Sequence, residues 1–134
     1  MLAKEITYTD YDGVQRTETF YFNLNKAELM ELNLSIEGGL ERKIKDIIAA
    51  KDVPAVAAAF KDILLRAYGV KSPDGKHFHK SAELAKEFTE TEAYSELFIE
   101  LLSKPDYAAQ FIQQIIPDVP SDGTNQAADV VKIN

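Results

Sequence analysis

The sequence contains no cysteine and only two histidines among its 134 residues, which narrows the chemistry open to it. The absence of cysteine excludes disulfides, thiolate metal sites and thiol nucleophiles. It also fits a reducing compartment, so we expect a protein of the cytoplasm.

Basic residues and long apolar runs are also scarce. Lysine and arginine total 15 against 22 aspartates and glutamates, giving a formal net charge of −7. A broad nucleic-acid-binding surface is therefore not expected. No stretch approaches the roughly 20 apolar residues that cross a bilayer, and residues 1–8 lack the apolar centre of a signal peptide. We expect neither a nucleic-acid partner nor a membrane.

What the chain does contain is an ordinary globular balance, 46% hydrophobic and 28% charged, in a length that suits one domain. Residues 54–68 have the pattern of a central core helix. Asp52 can cap its first turn, Pro54 fits inside that turn, and Gly69 can close the helix in the left-handed conformation. The apolar residues at helical spacing are Val56, Ala59, Phe60, Ile63, Leu64 and Ala67.

Residues 2–22 are predicted to form a β-hairpin. On the first arm Ile6 and Tyr8 alternate with polar residues, and the turn at 10–13 ends in Gly13, which can take a positive φ. Three aromatic residues, Phe20, Tyr21 and Phe22, end the second arm. An isolated hairpin is marginally stable in water, so this one must pack on helices or pair with another chain.

The other segments are mostly helical. Asn25 and Glu28 have the spacing of a capping box. The apolar residues of the helix that follows fall on two sides, Ala27, Met30 and Leu34 on one and Leu29 and Leu32 on the other. Residues 69–79 read as a loop, with at most a small surface hairpin around the turn at 72–75. The predicted helices cover about 26–34, 40–50, 53–68, 82–88, 91–102 and 105–116.

These elements predict an α+β fold: a mostly helical single domain over residues 1–117, with the N-terminal hairpin packed on a helical bundle. Residues 118–134 are rich in small and polar residues and are predicted to form a flexible C-terminal tail. Its apolar exception is Val130, Val131 and Ile133. These three are the candidate protein-binding residues, because the segment alternates enough to add as a strand to a sheet edge.

No residue pattern predicts catalysis, a metal or a cofactor. His77 and His79 lie near Asp74, but two imidazoles and one loose carboxylate fall short of a metal site. The chain has no nucleophile elbow and no phosphate-binding loop. We therefore predict a protein that is not an enzyme. A further set of carboxylates reads as a solvated helix face: Glu90, Glu92, Glu96 and Glu100.

Several runs in the sequence are similar to one known family. They are EITYTDYDG at 5–13, RTETFYFNL at 16–24, KAELMEL at 26–32, AYG at 67–69, KSPDGK at 71–76 and TEAYSELF at 91–98. Together they resemble the tail assembly chaperones of long-tailed bacteriophages and prophages. The resemblance spans most of residues 5–116, and its motifs are structural rather than catalytic.

The resemblance implies a non-enzymatic role in tail morphogenesis. Such chaperones coat the long, aggregation-prone tape-measure protein and keep it soluble until tail-tube subunits polymerise round it. They act in the cytoplasm of the bacterial host and are absent from the mature virion. It also implies several copies on one client, hence a homo-oligomer. The alternative is a structural virion protein, such as a head–tail connector or a decoration protein.

Overall fold

The computed structural model describes residues 1–116 of the chain, which form one α+β unit of four strands and six helices. This confirms the predicted fold class. The predicted domain boundary at 117, the tail at 118–134 and the candidate residues Val130, Val131 and Ile133 lie outside the described residues. The elements are β1 (Leu2–Thr9), β2 (Gln15–Phe22), α1 (Lys26–Ser35), α2 (Gly39–Ala50), α3 (Val53–Ala67), β3 (Tyr68–Lys71), β4 (Phe78–His79), α4 (Ala82–Thr89), α5 (Glu92–Ser103) and α6 (Pro105–Ile115).

The predicted hairpin is present as β1 and β2, with Leu2 opposite Phe22 and Thr9 opposite Gln15. It does not stand alone. The strands form an antiparallel sheet in the order β1-β2-β3-β4, in which Tyr21 pairs with Gly69 and Val70 pairs with His79. The small hairpin that the sequence allowed around the turn at 72–75 is present as β3 and β4. The sequence did not predict that β3 also pairs with β2, which extends the sheet by two short strands.

Gly69 explains why this extension forms. A Cβ atom there would lie 2.7 Å from a ring carbon of Phe78 and 2.8 Å from the carbonyl oxygen of His79. The residue is a strand position with close neighbours, not the left-handed end of a helix that the sequence suggested. Helix α3 instead ends at Ala67, and the next residue, Tyr68, takes an extended conformation with φ −65° and ψ 138° and begins β3.

The helix starts agree with the capping residues in the sequence. At α1 the Asn25 side chain accepts from the Glu28 amide at 2.8 Å, and the Glu28 carboxylate accepts from the Asn25 amide at 2.9 Å. Asp52 caps α3 by accepting from the Ala55 amide at 3.2 Å. Because each cap satisfies amides that the helix leaves unpaired, local sequence fixes where these helices begin.

Helix α5, rather than α3, is the centre of the packing. It contacts β1, α3, α4 and α6, and its residues Ala93, Leu97 and Leu101 are buried. Helix α3 was predicted as the central helix. It does bury its apolar stripe, but it packs mainly against α2, α5 and β2. A helix with a strong apolar stripe is therefore not necessarily the helix with most neighbours.

An aromatic cluster joins the sheet to the helices. Phe22 is fully buried, and its ring centroid lies 5.9 Å from that of Tyr68, 5.8 Å from Phe88 and 5.4 Å from Phe111. The Tyr68 and Phe88 rings stack at 4.4 Å. Phe20 completes the cluster at 5.4 Å from Phe88. The cluster thus connects β2, β3, α4 and α6 through side chains from distant parts of the chain.

Candidate functional site

Both histidines are exposed: His77 lies just before β4 and His79 within it. Their ring centroids are 6.0 Å apart and the ring planes are nearly parallel. The carboxylate of Asp74 accepts hydrogen bonds from the Ser72 hydroxyl at 2.7 Å and the Lys76 amide at 3.0 Å, and these bonds lower the pKa of Asp74. Asp74 therefore stabilises the turn. Within residues 1–116, no group of three or more potential ligands could hold a metal ion.

The acidic residues around α5 do not converge on a cleft. Glu100 is paired with Lys4 at 3.4 Å and with Lys104 at 3.9 Å, while Glu90 and Glu96 are exposed. General acid–base chemistry needs carboxyl groups that share a protected cleft. The arrangement is that of a solvated helix side with one ion-paired member.

Helix α1 exposes an apolar surface, which we call the α1 outer face: Ala27, Met30 and Leu34. The side chain of Leu34 is 82% exposed and that of Met30 is 38% exposed. The opposite side of the helix packs against the core, and there Leu32 is buried and Leu29 is half-buried. Neighbouring exposed apolar residues on one helix side make this face a candidate protein contact site.

A groove runs beside α1, between that helix, the end of α3 and the start of α4. It has a volume of about 630 Å³, with Leu24, Leu32, Leu65 and Ala85 among its apolar lining residues. At its rim the Lys80 ammonium contacts the Glu28 carboxylate at 2.8 Å. This contact ties the first turn of α1 to the segment before α4, so the α1 outer face is presented on a helix held at its N-terminus.

The sheet offers a second surface at the outer edge of β1. The Asp10 amide donates to the Val14 carbonyl at 2.9 Å, so this pair is hydrogen-bonded across the hairpin. In an antiparallel ladder such pairs alternate, so the even-numbered residues of β1 bond to β2. The main-chain groups of Ala3, Glu5, Thr7 and Thr9 therefore point away from the sheet. An edge of this kind is a template for an added strand.

The exposure of α1 and the direction of the β1 edge were not predicted from the sequence. The sequence does place apolar residues on two sides of α1, and a helix in one small domain cannot bury both sides against the same core. That observation was sufficient to predict one exposed side. It was not sufficient to predict which side of α1 is exposed, because that depends on where the sheet and α2 lie.

Within residues 1–116 the candidate surfaces are an apolar helix face and an open sheet edge, and both suit protein binding. A family model described as phage tail assembly chaperone matches residues 1–131. The chain belongs to the phage tail assembly chaperones. The match covers nearly the whole chaperone and confirms the family resemblance found in the sequence.

Two further findings bear on this chaperone. No curated protein and no solved structure matches the chain significantly. No helix in the described part of the chaperone is long and apolar enough to cross a membrane.

Proposed function

We propose that this chaperone binds the tape-measure protein through the α1 outer face and keeps it soluble while tail-tube subunits assemble round it. The observation that carries the proposal is the exposure of Leu34 and Met30 on a helix whose other side is core. Fully burying an exposed leucine side chain contributes about 1.5–3 kcal/mol, so covering Leu34, which is 82% exposed, favours contact with a client.

The chemistry of this face suits a helical client. Ala27, Met30 and Leu34 recur at the spacing of one helix side, which lies along the apolar side of a second helix. Methionine is unbranched and flexible, so it adapts to different client residues along a long substrate. The capping box and the Lys80 contact hold α1 in place before binding, which reduces the entropy lost when the complex forms.

The proposal extends to the remaining roles implied by the family. The chaperone acts in the host cytoplasm without catalysis, helps to recruit tail-tube subunits, and is absent from the finished virion. Several copies bind one tape-measure protein, and the chaperone forms homo-oligomers. Light scattering over a range of concentrations tests the last statement, and a monomer throughout that range contradicts it.

Co-expression with the tape-measure protein tests the α1 outer face. We expect Leu34→Glu to leave the tape-measure protein in the insoluble fraction, because it places a charge in the contact. Ile99→Glu is the matched control, since Ile99 is 63% exposed on α5, away from α1. It should keep the client soluble. A thermal melt of each variant checks folding, and a folded Leu34→Glu protein that still solubilises the client contradicts the proposal.

Mass spectrometry of purified virions separates this role from the alternative. A chaperone that leaves the assembly should be missing from the particles. Its presence in stoichiometric amounts would instead support a structural virion protein, such as a head–tail connector or a decoration protein.

A further inference from the structure

The outer edge of β1 is open along the whole strand. Hydrogen bonds across the hairpin occupy the even-numbered residues, and the pairing of Asn23 with Ala67 shows that the odd-numbered residues of β2 face β3. No hydrogen bond among residues 1–116 uses the outward main-chain groups of Ala3, Glu5 or Thr7. A strand of 8 residues with unused donors and acceptors can pair with another extended segment.

The surface beside this edge is acidic. Between β1 and α5 lies a shallow groove of about 190 Å³, which is small for a ligand pocket. Its charged lining residues are Lys4, Glu5, Glu96 and Glu100. Glu96 and Glu100 lie on the α5 side of β1 with Lys4, whereas the exposed Glu5 side chain lies on the opposite face of the strand. Lys4 is already paired with Glu100 at 3.4 Å. Glu5 and Glu96 make no ion pair with any residue of the described chain.

The negative charge beside β1 determines which kind of segment can pair with the strand edge. Two copies of the chaperone that joined edge to edge through β1 would bring two acidic grooves together, which is unfavourable. The site requires an extended segment that can pair with the strand edge and a positive charge that complements the acidic surface. A short apolar segment with a basic residue meets both requirements. The chain has such a segment outside the described residues: Val130-Val131-Lys132-Ile133.

The described chain ends close to the start of β1. The Leu24 amide donates to the Ile115 carbonyl at 3.2 Å, which holds the end of α6 near Phe22, and Phe22 pairs with Leu2. From Ile116 to Val130 there are 14 peptide steps, which span up to about 45 Å when extended. Strand β1 is about 25 Å long at the usual rise per residue. Every point of the edge is therefore within reach of residues 130–133 of the same molecule.

We propose that residues 130–133 of the same chain pair with the outer edge of β1, above the groove between β1 and α5. Two of its four residues face β1, and their main-chain groups bond to Glu5 and Thr7. Because side chains alternate along a strand, Lys132 lies near Glu5 on one face or near Glu96 on the other. The segment covers an edge that would otherwise promote aggregation, and the tether favours it over the same segment of another copy.

Hydrogen exchange in the full-length chaperone, followed residue by residue by NMR, tests this assignment. The amides of Lys4, Ile6 and Tyr8 bond to β2 and serve as an internal reference. We expect the outward amides of Glu5 and Thr7 to be protected as well, by roughly tenfold or more over an unstructured chain. Outward amides that exchange as in an unstructured chain overturn the proposal.

Two variants of the full chain identify the occupant. Adjacent amides of a strand face opposite edges, so the double substitution Val131→Pro and Lys132→Pro removes the donor that faces β1 in either register. It should abolish the protection of Glu5 and Thr7 while leaving Ile6 unchanged. Ser121→Pro is the control in the same tail and should change neither. If the double variant leaves the outward amides protected, another group covers the edge. If the protection rises with protein concentration, a second copy supplies the strand, and the intramolecular assignment is wrong.

Discussion

At the scale of single residues, Phe22 connects the two parts of the fold. It ends the second arm of the hairpin, and its ring contacts side chains from β3, α4 and α6. The aromatic run at 20–22 is visible in the sequence but its partners are not, because Tyr68, Phe88 and Phe111 are 46 to 89 positions away. Such contacts depend on the tertiary fold and have no local pattern.

Phe22→Ala should severely destabilise the chaperone. Truncating a buried phenylalanine costs about 3–5 kcal/mol, because the lost contacts leave a cavity that neighbouring rings cannot fill. Chemical denaturation followed by circular dichroism measures the free energy of unfolding. Leu34→Ala is the control, since that side chain is 82% exposed and should change the free energy little. Equal effects of the two substitutions would contradict the assigned core.

Asp10 organises the hairpin turn through charge. Its carboxylate accepts from the amides of Asp12 and Val14, both at 2.9 Å, and from Arg16 Nε at 2.6 Å. The bond from Arg16 is the main cause that holds the pKa of Asp10 below its ordinary value of 3.8. A lowered pKa in the folded state means that the turn is fully stabilised above pH 3.8. The contribution is lost as the pH falls through the folded-state pKa.

The amide shifts of Asp12 and Val14 should therefore titrate with a midpoint below 3.8, as measured by NMR. Arg16→Gln should raise that midpoint, since it removes the charged donor. Asp10→Asn should abolish this titration step at both amides. A midpoint at or above the ordinary value in the parent protein would show that the Arg16 contact does not persist in solution.

At the scale of elements, the helices could be predicted closely and the sheet only in part. Helix boundaries follow from local features, such as the capping box at Asn25 and Glu28 and the cap at Asp52. The strands β3 and β4 have four and two residues, too few for an alternating pattern. What defines them is pairing: β3 pairs with β2, which lies more than 40 positions earlier in the chain, and β4 pairs with β3. Sequence periodicity does not report such pairing.

Gly69→Ala tests how β3 joins the sheet. The new methyl group would lie 2.7 Å from the Phe78 ring and 2.8 Å from the His79 carbonyl oxygen, so β4 must move. We expect a loss of about 1–3 kcal/mol in the free energy of unfolding, the usual cost of overpacking. Val70→Ala is the control in the same strand, because Val70 is 43% exposed. A Gly69→Ala protein as stable as this control would contradict the close approach.

At the scale of the whole molecule, the two candidate surfaces belong to different parts of the fold. The α1 outer face lies on a helix that packs against α2, whereas the β1 edge borders α5 and has α6 nearby. The surfaces share no residue. A client bound at α1 and a strand paired with β1 are therefore separate events, and substitutions at one surface should leave the other intact.

The last prediction concerns the extent of the folded domain, which we propose ends at residue 117. Removing residues 118–134 should lower the melting temperature by no more than about 5 °C, the shift expected for a loss near 1 kcal/mol. Most of the removed segment is polar or small, so it cannot bury enough apolar surface to offset the roughly 1–2 kcal/mol of backbone entropy lost per ordered residue.

A second truncation, shorter by seven residues than the chain ending at 117, provides the comparison for this experiment. A truncation after Gln110 removes Phe111, Ile112 and Ile115, all buried, together with the main-chain bond from Leu24 to Ile115. That protein should fail to fold, whereas the one ending at 117 keeps all of these contacts. A fall of ten degrees or more on removal of 118–134 would mean that the tail belongs to the core. The four residues proposed to pair with β1 could not account for it, because a short edge strand held by a long tether adds little to the free energy of unfolding.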